Sequence, residues 1–310
     1  MDKDVDRTDE KESNYRCRNG ASKKAEASNA QYLCIGCNLS PKFNLIPILS
    51  ILMPVGGVDR FLPMAIESLR HQTFENYTCH ILTPKLTKRE VVELHTLISN
   101  DSRFVVHQLE LSGIAFALNY GLNLSNSKYI ARMDSDDISH PLRFEKQIQF
   151  LDQNQKYVAV GCRVEMIDQD GARLNQTFKF YENDSEIRRA LKYRVPLCHP
   201  AMIFRAETLK LNKGYMYGNT AEDHELYLRI ARDGNCLFKN LSDCLFSYRR
   251  HDNQLTNLKY ARRAYCNISG FMFTELMLTG NLMYLIGVFA NHPVLRRIRL
   301  EFRKFRELFK

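Results

Sequence analysis

Residues 46–53 read IPILSILM, and the pattern that decides the fold begins with them. Because this run is almost entirely apolar, we predict a strand that is covered on both faces of a sheet. Asp59 then has the place of a helix N-cap, and Leu62, Ile66 and Leu69 recur behind it at helical spacing. The alternation continues, with further strands predicted at 78–83, 103–107 and 128–133 and helices at 88–99 and 114–124. It predicts an α/β fold with a mainly parallel central sheet flanked by helices.

The flanks of this region have a different composition. Residues 1–43 are charged and rich in Ser and Asn, so we predict a disordered extension before a domain at 44–256. Within the extension, Cys34 and Cys37 have the spacing of a metal or redox pair. No second pair of ligands follows at finger spacing, so we interpret them as incidental thiols. A helical segment at 257–310 is predicted to follow the domain.

Composition favours a reducing compartment. The nine cysteines are odd in number and scattered, which is typical of reduced thiols rather than of a disulfide framework. The polar N-terminus, MDKDVDRTDEKES, has no apolar signal-peptide core. Since the sequence contains no run of 18 apolar residues, we expect no membrane-spanning helix. These observations together predict a cytoplasmic protein.

Three carboxylates follow the predicted strand at 128–133. They are Asp134, Asp136 and Asp137. Ligands of parallel sheets bind beyond the carboxyl ends of the strands. Neighbouring carboxylates repel one another unless a bound cation compensates their negative charge. Their hard oxygen atoms suit Mg²⁺ or Mn²⁺, which keep coordination positions open for substrate phosphates. The alternative is a solvated acidic turn that caps a helix beginning near Pro141.

Six stretches of the chain together resemble one enzyme family. They are YIARMDSDDISHPLRFEKQIQFL at 129–151, ILMPVGGVDRFLPMAIESLRHQTFENY at 51–77, SGIAFALNYGLNLSNSKYI at 112–130, HPAMIF at 199–204, AEDHELYLRIARDG at 221–234 and YRRHDNQLT at 248–256. As an ordered set they closely resemble family-2 glycosyltransferases of the bacterial surface-polysaccharide and lipopolysaccharide type. The resemblance implies the GT-A nucleotide-sugar-binding fold, with a nucleotide-sugar donor and a glycan or lipid-linked glycan acceptor as partners.

On the donor side, the resemblance implies a nucleotide and metal site. Pro54 and Val55 would lie beside the nucleobase and ribose, and Asp134 and Asp136 would face the nucleotide. Asp136 would bind Mn²⁺ or Mg²⁺, and His251 would complete the metal or diphosphate site. The metal would bridge the diphosphate oxygens and act as a Lewis acid on the departing nucleotide. For His251, an ordinary surface histidine is the alternative.

On the acceptor side, the resemblance implies an inverting mechanism. Asp223 would be the catalytic base, because inversion needs a carboxylate that takes the proton of the attacking acceptor hydroxyl. Glu222 and His199 would lie beside the acceptor. The alternatives are that Asp223 only caps a helix and that His199 has a structural role.

Two departures from the family pattern affect the donor and the mode of transfer. The second strand of family members usually ends in an acidic stretch that helps to recognise uracil, whereas this chain has Thr83-Pro84-Lys85-Leu86. A lysine cannot accept a base N–H, so a UDP-sugar is only the default donor. The chain has no Trp and lacks the processive Gln-x-x-Arg-Trp motif, which favours transfer of a single sugar. The missing acid leaves a catalytically inactive scaffold at the membrane as the alternative function.

The end of the chain is basic and amphipathic. Residues 291–310 contain seven Lys and Arg and two Glu. The resulting charge of +5 is over half of the chain's net charge of +9. Apolar residues recur there every three or four positions: Leu295, Ile298, Phe302, Phe305 and Phe309. Such a helix is typical of peripheral attachment to an anionic membrane, here the inner face of the plasma membrane. A terminal helix packed on the domain is the alternative. No nucleic-acid partner is expected, because the basicity lies mostly at one end and no recognition motif is present.

Overall fold

A computed structural model of the protein describes residues 46–99, 101–217, 220–251 and 261–292, together with positions 294, 295, 298 and 301. The predicted extension at 1–43, with its Cys34–Cys37 pair, lies outside the described residues. So do Phe302, Phe305 and Phe309 of the predicted amphipathic stripe.

Four parallel strands form one half of the sheet. They are β1 (Leu49–Pro54), β2 (Tyr77–Pro84), β3 (Phe104–Leu109) and β4 (Tyr129–Arg132), in the order β3-β2-β1-β4. The helices between them are α1 (Leu62–Arg70), α2 (Lys88–Ile98) and α3 (Ile114–Leu124). Every strand and helix predicted between residues 46 and 133 is therefore present. β1 lies between two parallel neighbours, as its apolar run requires.

The other half of the sheet is mixed. From β4 the order continues through β8 (Ile203–Arg205), β6 (Tyr157–Ile167), β9 (Leu237–Arg249) and β5 (Ile138–Ser139), and β7 (Arg173–Thr177) pairs with β6. β8 is antiparallel to both β4 and β6, whereas β6 and β9 are parallel. Further helices are α4 (Arg143–Gln153), α5 (Asp184–Leu191), α6 (Ala206–Leu211) and α7 (Glu222–Ala231), with a 3₁₀ turn at His199–Ala201. The predicted α/β fold is confirmed.

β1 contributes side chains to two hydrophobic cores. Ile51 and Met53 belong to a core formed with α1, α2 and α4, whereas Leu52 belongs to a second core formed with α3, α5 and α7. All three side chains are buried. Because successive residues of a strand point to opposite faces, only an uninterrupted apolar run can serve both cores.

Two further helices are α8 (Ala261–Thr279), which packs on α7, and α9 (Met283–Asn291), which packs on α8. Glu275 of α8 is buried and accepts a hydrogen bond from Arg232 Nε at 2.9 Å. In α9, a Cβ added to Gly287 would lie 2.2 Å from the carbonyl oxygen of Lys192, so the helix approaches this backbone closely. Asn291 Nδ2 donates to the Tyr193 carbonyl at 2.9 Å. Within the described residues, no helix combines the length and hydropathy needed to span a bilayer.

Candidate active site

The acid loop, residues 134–137, leaves the sheet where the strand pairing changes direction. β4 is parallel to β1 on one side and antiparallel to β8 on the other, and the amide of Met133 donates to the Leu52 carbonyl at 3.2 Å. Beyond this bond, one carboxylate oxygen each from Asp134, Asp136 and Asp137 lies within 4.8 Å of the other two. Three hard oxygen ligands at this spacing suit Mg²⁺ or Mn²⁺.

Asp137 faces the protein interior, so the loop is not a fully solvated acidic turn. Its side chain is buried, and Oδ1 accepts the amide hydrogen of Arg249 at 2.8 Å. Burial raises the pKa of Asp137 well above its ordinary value, and the charges of Asp134 and Asp136 raise it further. Its Oδ2 has no hydrogen-bond partner among the described residues. A bound cation would favour the charged form of this carboxyl, so the residues fit a metal.

Arg249, at the end of β9, contacts the acid loop from a distant part of the chain. Its buried guanidinium donates from Nε to the Asp136 carbonyl at 2.8 Å and from Nη1 to the Asp168 carbonyl at 3.0 Å. It also lies 5.0 Å from the ring centroid of Phe61. The motif YRRHDNQLT contains this arginine, but the sequence alone does not distinguish it from its neighbour Arg250.

Arg132, the last residue of β4, orients the first acid of the loop. Its side chain is buried, and Nη2 donates to Asp134 Oδ1 at 2.5 Å. Nη1 donates to the carbonyl oxygen of Met133. A buried arginine next to a carboxylate compensates the negative charge and fixes the direction of Asp134. The sequence analysis did not assign this role, although a charged residue ending a buried strand is a visible signal.

His251 and Asp136, the two predicted metal ligands, are in contact. His251 Nε2 lies 2.8 Å from Asp136 Oδ2. The histidine ring packs on Phe61, with the ring centroids 4.7 Å apart. His251 is therefore not an ordinary surface histidine, because it is mostly buried and its ring nitrogen faces the acid loop.

Glu222 and Asp223 begin α7 after Ala221, whose φ of 64° is left-handed. Asp223 Oδ1 accepts the amide hydrogen of His224 at 2.8 Å. The N-cap of α7 is Ala221, so Asp223 lies in the first turn of the helix, where its charge is favourable to the helix dipole but does not cap the helix. Burial raises the pKa of Asp223 to about 6, and burial together with the Asp223 charge raises the pKa of Glu222 to about 7. The charge of Asp134 acts on both carboxyls in the same direction. The start of α7 thus lies within electrostatic range of Asp134, and its carboxyls have pKa values suited to general base catalysis.

His199 lies against Tyr215 in the wall of the site. The histidine is 7% exposed, and its Nε2 is 2.8 Å from the Tyr215 hydroxyl. Burial, together with the charge of Arg132, lowers the pKa of His199 well below its ordinary value, so the ring is neutral. Asn119 fixes Tyr215, because its side-chain amide exchanges two hydrogen bonds of 2.8 Å with the tyrosine backbone. This contact is compatible with the structural role that was the alternative for His199, and its place beside the acceptor stays a prediction. The sequence analysis missed Tyr215 because no local pattern marks it.

The residues predicted for the nucleoside side lie at the ends of β1 and β2. Pro54 is half-buried, whereas the side chain of Val55 is buried in the core and its amide donates to the Leu82 carbonyl at 2.9 Å. A nucleotide could therefore contact only the backbone of Val55, not its side chain. At the end of β2, where family members usually carry an acid, Thr83 is buried and Lys85 is exposed. Residues 83–86 include no carboxylate.

Comparison with known proteins relates the chain to sugar-transferring enzymes. Residues 50–210 match the family model described as glycosyl transferase family 2. The chain is 31% identical over 232 residues to the O-antigen biosynthesis glycosyltransferase WbnJ of Escherichia coli, covering 74% of this chain and 90% of WbnJ. It is 30% identical over 189 residues to the amylovoran biosynthesis glycosyltransferase AmsE of Erwinia amylovora, covering 61% of this chain and 70% of AmsE.

Two solved structures share the fold. One is S. aureus TarS 1–349 in complex with UDP-GlcNAc, with a TM-score of 0.59, 17% identity, and coverage of 74% of this chain and 66% of that chain. The other is the mannosyltransferase PcManGT from Pyrobaculum calidifontis in complex with GDP-Man and Mn²⁺, with a TM-score of 0.57, 12% identity, and coverage of 83% and 73%. At these identities the likeness concerns the fold alone, and the predicted GT-A fold is confirmed.

Proposed function

Because this chain belongs to glycosyl transferase family 2, we propose that it transfers one sugar with inversion from a nucleotide-sugar to a surface-glycan acceptor in a metal-dependent reaction. One observation carries the proposal. Asp223, a carboxyl whose pKa burial raises to about 6, stands near an acid loop whose oxygens suit a divalent cation. A base and a diphosphate-binding metal side by side are what this transfer requires.

The donor would bind at the acid loop and the ends of β1 and β2. Asp136 and His251 would bind Mn²⁺ or Mg²⁺, with Asp134 facing the nucleotide and Pro54 and Val55 beside the base and ribose. The cation would supply Lewis-acid stabilisation of the departing nucleotide diphosphate. Asp134, Asp136 and Asp137 would no longer repel one another strongly once their charges are compensated.

The acceptor would approach from the side of α7. Oδ1 of Asp223 already accepts the His224 amide, so Oδ2 would take the proton of the acceptor hydroxyl. Glu222, with a pKa of about 7, would be partly protonated beside it at neutral pH, and its protonated form could donate a hydrogen bond to the acceptor. His199 would act on the acceptor side by supporting Tyr215.

A lipid-linked acceptor at the inner face of the plasma membrane is part of the proposal. WbnJ and AmsE take their names from O-antigen and amylovoran biosynthesis. The outer face of α8 and α9 exposes large apolar side chains: Phe273, Met277, Leu278, Leu282, Ile286 and Phe289. An exposed apolar surface of this kind, followed by the basic segment 291–310, suits peripheral attachment to anionic lipid.

A catalytically inactive scaffold at the membrane is the second candidate. The observation that favours it is the exposed Lys85 at the end of β2, where family members usually carry an acid. The combination of Asp134, Asp136 and Asp223 favours the enzyme. Hydrolysis of a nucleotide-sugar by the purified protein separates the two, because a scaffold would hydrolyse none.

The direct test is turnover of UDP-, GDP- and dTDP-sugars with Mn²⁺ or Mg²⁺. We expect excess EDTA to abolish turnover and Asp136→Ala to do the same without a change in unfolding temperature. Asp170→Ala removes an exposed carboxylate whose side chain makes no hydrogen bond with a described residue, and should leave turnover unchanged. Full turnover in excess EDTA would contradict metal dependence. No turnover of any donor would favour the scaffold.

A further inference from the structure

A cleft of about 940 Å³ lies between the acceptor side of the proposed site and the end of α9. Its walls come from β6 at 162–164, the chain after β7 at 178–181, the loop at 193–198 and the last two residues of α9, at 290–291. None of the residues assigned above to the donor, the metal or the base lines this cleft.

Three cations line the cleft, and none of the described residues in its lining is a carboxylate. They are Arg163, Lys179 and Arg194, and all three are exposed. None forms an ion pair with a residue that the structure describes. A concave surface with three cations and no acid favours an anionic ligand.

Aromatic rings restrict the direction of each of these cations. The pairs, with the distance from the cation to the ring centroid, are Arg163 and Phe180 at 4.4 Å, Lys179 and Tyr181 at 5.2 Å, and Arg194 and Tyr193 at 5.3 Å. Such cation–π contacts reduce the freedom of long side chains before a ligand arrives. The cations are therefore partly preorganised.

One end of the cleft adjoins the acceptor side of the proposed site. Cys198 lines the cleft and directly precedes His199, whose Nε2 lies 2.8 Å from the Tyr215 hydroxyl. A ligand whose anionic part contacts the three cations would therefore have one end on the side of His199.

The other end of the cleft reaches the apolar outer face of α9. Ala290 and Asn291 line the cleft, and Asn291 is bonded to the carbonyl of Tyr193 in the opposite wall at 2.9 Å. Phe289 and Ile286, one and four residues before this end, are 64% and 50% exposed. The cations therefore share one cleft with the residue before His199 and with the end of α9, which is next to an apolar surface suited to lipid.

We propose that the cleft binds the phosphate or diphosphate linker of a lipid-linked acceptor through Arg163, Lys179 and Arg194. This inference rests on the proposed transferase function and specifies its acceptor. Guanidinium and ammonium groups bind phosphate oxygens by charge-assisted hydrogen bonds, and no carboxylate among the described lining residues opposes them. The acceptor sugar would extend toward Asp223, and the lipid would lie along the outer face of α9.

Kinetics with two acceptors test the proposal. The same sugar is offered on farnesyl diphosphate and on an uncharged alkyl chain, and Lys179→Gln/Arg194→Gln is compared with the wild type. We expect KM for the diphosphate acceptor to rise about tenfold or more, while kcat, donor KM and KM for the uncharged acceptor stay within about twofold. Lys88→Gln/Arg89→Gln, which removes two exposed cations from α2, is the matched control and should change none of these values. An equal rise in KM for both acceptors, or no rise in KM for either, would overturn the proposal.

Binding measurements keep the test independent of turnover. Calorimetry with farnesyl diphosphate in excess EDTA should detect binding to the wild type and to Asp136→Ala. In Lys179→Gln/Arg194→Gln, the affinity for farnesyl diphosphate should fall by about tenfold or more. Unchanged binding in the cleft variant overturns the cleft assignment even if the enzyme is active. Binding that depends on the cleft in a protein without turnover would instead mean that only the transferase proposal has failed. Inorganic diphosphate is the second probe, and equal affinity for both probes would assign the cleft to free phosphate and overturn the lipid-linked source.

Discussion

At the scale of single residues, the two carboxyls that begin α7 differ in what they can do. Asp223 has the lower pKa of the two, so it loses its proton first and is charged at neutral pH. Glu222 is more deeply buried and titrates later. This difference favours Asp223 as the base that we propose and Glu222 as a hydrogen-bond donor to the acceptor, although both are acids in adjacent positions.

Asp223→Asn tests the base directly. The amide keeps the shape and the contact with the His224 amide but cannot take a proton, so we expect kcat to fall by about 10²–10⁴-fold with donor affinity near normal. Glu222→Gln is the control and should retain most of kcat. Loss of donor binding with retained turnover in Asp223→Asn would assign Asp223 to the nucleotide site instead.

The pH dependence of kcat follows from the same burial. The base is active when ionised, so activity should be lost as the pH falls through the pKa of Asp223, which is about 6 without a metal. A metal ion would compensate the charge of Asp134 that helps to raise this pKa, so the midpoint should lie at or below about 6. A profile from pH 4.5 to 8 at saturating Mn²⁺ measures it. A midpoint above pH 7 would exclude Asp223 as the titrating group.

At the scale of elements, the turn between α6 and α7 depends on one glycine. Gly214 has a φ of 63°, and a Cβ there would lie 2.2 Å from the Asn119 side-chain oxygen that accepts the Tyr215 amide. The turn therefore needs glycine both for its backbone conformation and for the approach of α3. Through this contact, α3 helps to position the Tyr215 hydroxyl beside His199.

Gly214→Ala should destabilise this turn. The left-handed backbone costs on the order of 1–3 kcal/mol for a residue other than glycine, and displacement of Asn119 adds to that. We expect the free energy of unfolding in urea to fall by at least this amount and kcat to fall with it. Gly234→Ala is the control, because its added Cβ meets nothing within 4 Å. A Gly214→Ala protein as stable as the control would show that the turn relaxes without cost.

At the scale of the whole molecule, two surfaces would contribute to membrane binding by different physics. The apolar outer face of α8 and α9 would contribute free energy by burying its side chains in the membrane, and salt does not screen this contribution. The basic segment at 291–310 would add up to about 1 kcal/mol per cation near an anionic leaflet, and this contribution weakens with salt. Because Asn291 anchors α9 to Tyr193, a truncation should leave that residue in place.

Removal of residues 293–310 should therefore eliminate the salt-dependent part of binding to phosphatidylserine vesicles. Ile286→Ser/Phe289→Ser in the full chain should reduce the part that persists at high salt, because both side chains are exposed on α9. Co-sedimentation between about 50 mM and 500 mM salt measures both parts. If the truncated protein binds as the full chain does, or no longer folds, the terminal segment is packed structure and the membrane proposal fails.

The sequence by itself determined the parallel half of the sheet, the acid loop at the end of β4 and the family. These features are encoded locally. A strand buried on both faces needs a continuous apolar run. The predicted cap at Asp59 is two residues too early, because the N-cap of α1 is Phe61, although Asp59 accepts the amide hydrogens of Phe61 and Leu62 at 2.9 and 3.1 Å. The family match over residues 50–210 confirms the resemblance carried by the motifs.

Only the tertiary structure decided which side chains support the site. Arg249 and His251 lie more than 110 residues from Asp136, yet both contact the acid loop. The cleft likewise brings together three cations from β6, the chain after β7 and the loop before the 3₁₀ turn. Contacts between residues so far apart leave no periodic signal in the sequence, because they depend on how strands pair and helices pack, and many sequences satisfy the same local pattern.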